Sequence, residues 1–84
     1  MAVYELAFKR SVAKDLRAIP REDLERILAR IEALRDDPRG RGCIKLSAQN
    51  RYRVRQGAYR IIYEIDDSIV TVLVVKVSHR SSAY

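Results

Sequence analysis

Hydrophobic and polar positions fall into blocks of two different periods along the chain. Residues 51–55, Arg-Tyr-Arg-Val-Arg, alternate with period two, the signature of a strand with one wet and one dry face. Gln56-Gly57-Ala58 reads as a turn, residues 59–65 as the next strand and Asp66-Asp67-Ser68 as the next turn. Residues 69–77 form the last strand, and the run Ile69-Val70-Thr71-Val72-Leu73-Val74-Val75 within it is apolar on both faces. Such a strand has neighbours on both sides of its sheet. Upstream the period changes. Phe8, Val12, Leu16 and Ile19 recur at helical spacing and predict a helix over 9–19. Pro20 breaks it. The acidic turn Glu22-Asp23 that follows suits a second helix start, because carboxylates meet the positive helix end. This second helix runs to about Arg35, with Leu24, Ile27, Leu28, Ile31 and Leu34 on one stripe. Residues 2–7 read as a first strand, and residues 39–50, with Gly40 and Gly42, as a loop.

The predicted order is strand, helix, helix, then three strands. The doubly apolar last strand has the preceding strand as one neighbour. Strand one is the only candidate for the other, pairing in parallel across the helical crossover. The expected fold is α+β: a small, mostly antiparallel four-stranded sheet in the order 1-4-3-2, with a helical hairpin on one face. Residues 1–84 are expected to form one domain.

Composition narrows the function. The 84 residues carry 17 Lys and Arg against 11 Asp and Glu, a net charge of +6. Residues 1–37 hold eight cations and eight anions, whereas residues 38–84 hold nine cations and three anions, so the whole net charge lies in the second half. A basic half points to a polyanionic partner. The single Cys43 excludes an internal disulfide framework and suits a reducing, cytoplasmic setting. With one Cys and one His, a zinc cluster is not expected, and no cofactor or metal is called for. No apolar stretch approaches the ~20 residues of a bilayer span, and the first ten residues lack the apolar core of a signal peptide.

The candidate chemistry is cationic. Strand alternation places Arg51, Arg53 and Arg55 on one face, and pairing of Arg55 opposite Arg60 across the turn would set Arg53 opposite Ile62 and add Arg60 to the row. Like charges on adjacent strands repel. Such a row makes sense where a phosphate or a carboxylate segment is bound; an ordinary solvated outer face is the alternative. Lys45, in the preceding loop, joins Arg51, Arg53 and Arg55 as a candidate RNA- or phosphate-binding residue. The closing segment Ser78-His79-Arg80-Ser81-Ser82-Ala83-Tyr84 brings an imidazole, a guanidinium and a phenol to one end of the sheet. Arginine pairs bidentately with phosphate, and His79 or Tyr84 could move protons. There is no P-loop, nucleophile elbow or HExxH motif.

This element order, the segment Arg53-Val54-Arg55-Gln56-Gly57-Ala58-Tyr59-Arg60-Ile61-Ile62-Tyr63-Glu64-Ile65-Asp66-Asp67 and the ending His79-Arg80-Ser81-Ser82-Ala83-Tyr84 resemble the RelE/ParE superfamily of bacterial type II toxins. The resemblance spans essentially the whole chain. It implies one of two activities. RelE-like members are ribosome-dependent endoribonucleases that cut mRNA in the A site. ParE-like members inhibit DNA gyrase without the catalytic set. Both are neutralised by a cognate antitoxin. Position by position, Arg53 and Arg55 match the basic residues of the second strand, often lysines in RelE enzymes. Arg60 matches the arginine that contacts the scissile phosphate, Arg80 the basic residue after the last strand, and Tyr84 the C-terminal catalytic tyrosine. The implied mechanism is metal-independent: the RNA 2′-OH attacks the adjacent phosphate, Arg60 and Arg80 stabilise charge, and Tyr84 or His79 handles the proton. Arginine stays protonated, so neither Arg53 nor Arg55 can act as a base.

Overall fold

In the computed structural model, which describes residues 3–46 and 50–81, the period-two segments become a mixed five-stranded sheet. The elements run β1 (Glu5–Phe8), α1 (Val12–Arg17), α2 (Arg21–Ala33), β2 (Ile44–Leu46), β3 (Arg51–Gln56), β4 (Tyr59–Asp66) and β5 (Thr71–His79). The strand order is β1-β5-β4-β3-β2. β1 pairs with β5 in parallel, from Glu5 opposite Thr71 to Phe8 opposite Val74, and the other neighbours are antiparallel. The expected order of the four long strands therefore holds, but the strand count does not. The supposed loop contains a short edge strand, β2, whose Ile-Lys-Leu is too brief to show a period.

Three boundaries also move. Phe8 leaves the expected helical stripe, pairs in β1 and is 44% exposed. Lys9 to Ser11 form a turn instead, with the Lys9 carbonyl accepting from the Val12 amide at 2.9 Å. Ile69 and Val70 belong to the β4–β5 turn rather than to β5. Val70 has φ +49°, a left-handed conformation that a β-branched residue adopts only when held there. Its carbonyl accepts the Glu5 amide at 2.8 Å, just where the parallel pairing begins.

Both helices contribute to the core on one side of the sheet. Val12, Ile27, Ile31 and Leu34 meet Val54, Ile61, Tyr63, Ile65, Val72, Val74 and Val77 in a single buried cluster. Leu28, though on the apolar stripe, is 41% exposed. A β-bulge explains how the last strand feeds this core. Ile62 opposes Lys76 but the next residue, Tyr63, opposes Val74, so Val75 is the extra residue. The bulge shifts the phase of β5: Val72 and Val74 face the helices before it, and Val77 does so after it. Ser78 is thereby delivered to the opposite face, across from Arg60.

Three polar ties hold the frame. The buried Tyr63 hydroxyl donates to the Pro38 carbonyl at 2.6 Å, and the Cys43 thiol lies 3.1 Å from the same oxygen. That hydroxyl has one proton, so the thiol is left as donor to it. Arg39 grips the Asp67 carboxylate with two nitrogens, at 3.2 and 2.8 Å, and Tyr4 donates to the same carboxylate at 2.9 Å. Asp15 of α1 closes the edge of β5 beyond the end of β1: its Oδ2 accepts the Val77 amide at 3.1 Å, and its Oδ1 lies 3.6 Å from Lys76 Nζ.

Candidate anion-binding face

The second face of the sheet carries the arginines. β3 and β4 are joined by the two-residue loop Gly57-Ala58, with Gly57 at φ +59°, the conformation that glycine adopts without steric penalty. This tight connection fixes the register. Arg55 stands opposite Arg60, Arg53 opposite Ile62 and Arg51 opposite Glu64, so the arginine row forms as the alternation predicts. Ile62 is only 1% exposed, although no helix covers this face. Its flanking partners are Arg53 on β3 and Lys76 on β5, so the aliphatic stems of long cationic side chains cover it while their charged heads reach water.

The row is not uniform. Arg51 is neutralised, its Nε donating to Glu64 Oε2 at 2.9 Å. Extending the Arg55–Arg60 register by four residues along each strand leads to this pair. Among the described residues, Arg53, Arg55 and Arg60 enter no ion pair. The Nε atoms of Arg53 and Arg60 are buried without a hydrogen-bond partner, and so is the Ser78 hydroxyl oxygen. A buried donor on a charged group without a partner is costly. The charge of these three arginines is left for an incoming phosphate or carboxylate to pair. Ser78 is a residue that sequence reasoning did not single out, because its placement depends on the bulge at Val75.

Other candidates lie elsewhere. Lys45 opposes Tyr52, which faces the core, so its side chain leaves on the other face from the arginine row. His79 opposes Tyr59, one step out of phase with Ser78, and its ring packs edge-on against the Tyr59 ring, with centroids 5.3 Å apart and planes at 89°. Its Nδ1 accepts the Ser81 amide at 3.2 Å and lies 2.7 Å from the Ser81 hydroxyl, an arrangement that puts the ring proton on Nε2. Arg80 follows at the strand end, its amide donating to the Ala58 carbonyl at 2.7 Å. Tyr84 lies outside the described residues. No cluster of three or more His, Cys, Asp or Glu side chains placed to hold a metal occurs among the described residues, and no described helix is long and apolar enough to cross a membrane.

A strand–helix–helix–sheet frame with this cationic open face fits the class of type II toxin–antitoxin toxins. Residues 6–84 match the family model described as the ParE toxin of the type II toxin–antitoxin system parDE, and the chain belongs to that family, within the RelE/ParE superfamily. Among its relatives is toxin RelG of Mycobacterium tuberculosis, 29% identical over 87 residues, an alignment covering 96% of this chain and 95% of that one. The fold is similar to the archaeal RelE–RelB complex from Pyrococcus horikoshii, with a TM-score of 0.84 and 28% identity, over 96% of this chain and 99% of that one. It is equally similar to the toxin–antitoxin complex RelBE2 from M. tuberculosis, with a TM-score of 0.84 and 28% identity, over 98% and 97% of the two chains.

Proposed function

We propose that this toxin is a ribosome-dependent mRNA endoribonuclease of the RelE type. The observation that carries the reading is the row of Arg53, Arg55 and Arg60 on one open sheet face, none of them in an ion pair among the described residues. A scissile phosphate seated there would receive charge-assisted hydrogen bonds from guanidinium groups that the protein leaves without a carboxylate. The RNA 2′-OH attacks that phosphorus as its proton passes to Tyr84, acting as the phenolate; the bond to the 5′ oxygen of the next nucleotide breaks, leaving a 2′,3′-cyclic phosphate, and that oxygen takes a proton from water or from protonated His79. Arg60 and Arg80 stabilise the charge on the phosphoryl oxygens, and Arg53 and Arg55 orient the backbone. His79 serves as that acid only in its imidazolium form, reaching around the β5 edge from the helix side of the sheet. RelE–RelB complexes among the structural neighbours support a cognate antitoxin as partner, one that covers the cationic face with carboxylates.

The description of the matched family as a ParE toxin favours a second reading, binding of DNA gyrase without chemistry. Primer extension on an mRNA with purified ribosomes separates the two. Cuts in coding sequence support the ribonuclease; intact mRNA together with inhibited supercoiling supports the gyrase reading.

A further inference from the structure

A pocket of about 260 Å³ lies around the end of β5, between α1 and the strand edge that β1 does not reach. Ala18, Ile19, Tyr59, Val77, Ser78 and His79 line it, with Asp15 and Lys76 closing one side. We propose that it is a nucleobase subsite, which holds a base of the RNA whose phosphate lies on the arginine row. The inference rests on the ribonuclease reading and adds a place where sequence preference arises.

Three features carry it. First, the two sites adjoin across the β5 edge: the pocket lies on the helix side, and Ser78, one of the residues lining it, stands opposite Arg60 on the ladder with its side chain on the arginine side. A nucleotide with its phosphate on Arg60 would reach the cavity by turning around that exposed edge. Second, the Tyr59 and His79 rings meet at 89° and form a corner. A planar base stacked on one ring turns its edge to the other. With Nδ1 engaged by Ser81, the His79 ring offers Nε2–H as a donor to that edge.

Third, the strand edge supplies backbone groups. The Val77 amide turns away from β4 to Asp15, and the Arg80 amide turns toward β4 to Ala58. In an antiparallel ladder these directions alternate, so the Val77 carbonyl and the His79 amide also point outward at this edge. A donor and an acceptor side by side suit the edge of a base. Asp15 already holds the Val77 amide and Lys76, which leaves those two groups available.

The test compares short single-stranded RNAs, intact or with one abasic position, in fluorescence binding to the purified toxin. It is paired with primer extension on ribosomes. The variants are Ala18→Leu, which fills the pocket from an exposed position, and Tyr59→Ala, which removes the stacking wall. Wild type is expected to bind the intact RNA about 5- to 150-fold more tightly than the abasic one, the scale of one base stacked on an aromatic ring. Both variants should lose that difference and redistribute the cuts among codons. Wild type that cuts mRNA but binds both RNAs equally overturns the subsite and leaves the ribonuclease reading standing. Ala18→Leu that keeps the wild-type cutting pattern and the full preference for intact RNA also overturns it. Wild type that neither cuts nor binds RNA removes both together.

Discussion

Arg60 and Ser78 stand directly opposite one another on β4 and β5, and each turns a buried polar atom without a protein partner to the same face. Neither residue gains a hydrogen bond from the fold at that atom, and Arg60 also stands opposite Arg55, a like charge. The arrangement is understandable as a site kept ready for an anion.

Replacing Arg60 by Ala tests this directly. The substitution removes a phosphate contact used in the transition state, on the scale of ~2.7–4 kcal/mol for a lost oxyanion donor. Ribosome-bound mRNA cleavage should fall ~10²–10³-fold. Arg60 enters no ion pair among the described residues and faces the like-charged Arg55, so the denaturation midpoint should stay near wild type. Growth arrest at the wild-type level on expressing Arg60→Ala would count heavily against the enzyme.

Tyr84→Phe separates the two activities. RNA self-cleavage needs an acceptor for the 2′ proton, and the arginines cannot serve. If Tyr84 is that acceptor, cleavage should drop by ~10²-fold or more while antitoxin binding is kept. A gyrase-binding toxin needs no proton acceptor, and its inhibition of supercoiling should survive. Cleavage at the wild-type rate would move the role to His79.

Tyr63→Phe should destabilise the protein without touching the arginine face. The change deletes the hydrogen bond to the Pro38 carbonyl and leaves that buried acceptor and the Cys43 thiol unpaired. The expected loss is ~1–3 kcal/mol, read as a lower urea midpoint with an unchanged slope. Burial first, and then the Cys43 contact, push the Tyr63 hydroxyl above its ordinary range. The unfolded chain ionises this group from about pH 10 upward while the folded one keeps its proton, so Tyr63 weakens stability as pH rises beyond that point. Tyr63→Phe should show a shallower alkaline decline than wild type.

The Asp67 tie works at the other end of the pH scale. The hydrogen bond from Arg39, and then that from Tyr4, hold its carboxyl below the ordinary range. Its stabilisation is complete above the unfolded value of about 3.9 and is lost as pH falls through the lower folded value. Asp67→Asn should therefore be less stable than wild type at neutral pH, with the gap narrowing below about pH 4. Urea midpoints measured from pH 7 down to pH 2 would show this. A constant gap would mean that the carboxylate charge is not what Arg39 and Tyr4 hold.

The β3–β4 hairpin was legible in the sequence down to its register, because Arg51, Arg53 and Arg55 alternate strictly and a tight turn leaves few ways to pair Arg55 with Arg60. The helical stripes were legible too, apart from Phe8, whose spacing fits a helix while its hydrogen-bonded place is beside Val74. Apolar runs hide phase. Between Ile69 and Val77 nearly every residue could face the core, so nothing in that run marks Val75 as the bulge or Val70 as the turn. The bulge decides which of Ser78 and His79 meets Arg60. Continued without it, the Val72 and Val74 alternation would send Ser78 to the helices and His79 to the arginines. Lys45 was misplaced for the opposite reason: three residues of β2 carry too little pattern to fix a face.

The parallel pairing of β1 with β5 joins positions 66 residues apart, from Glu5 to Thr71. A ribosome making this chain therefore emits β1 before the other strands, and β1 stays without its sheet neighbour until β5 has emerged. Contacts of such long range form late and slowly. The arginines of β3 and β4 can appear earlier as a hairpin, but Ser78 and the closed sheet beneath them come only with β5. The toxin thus gains its complete anion face only after β5 has been made, later than the arginine hairpin itself.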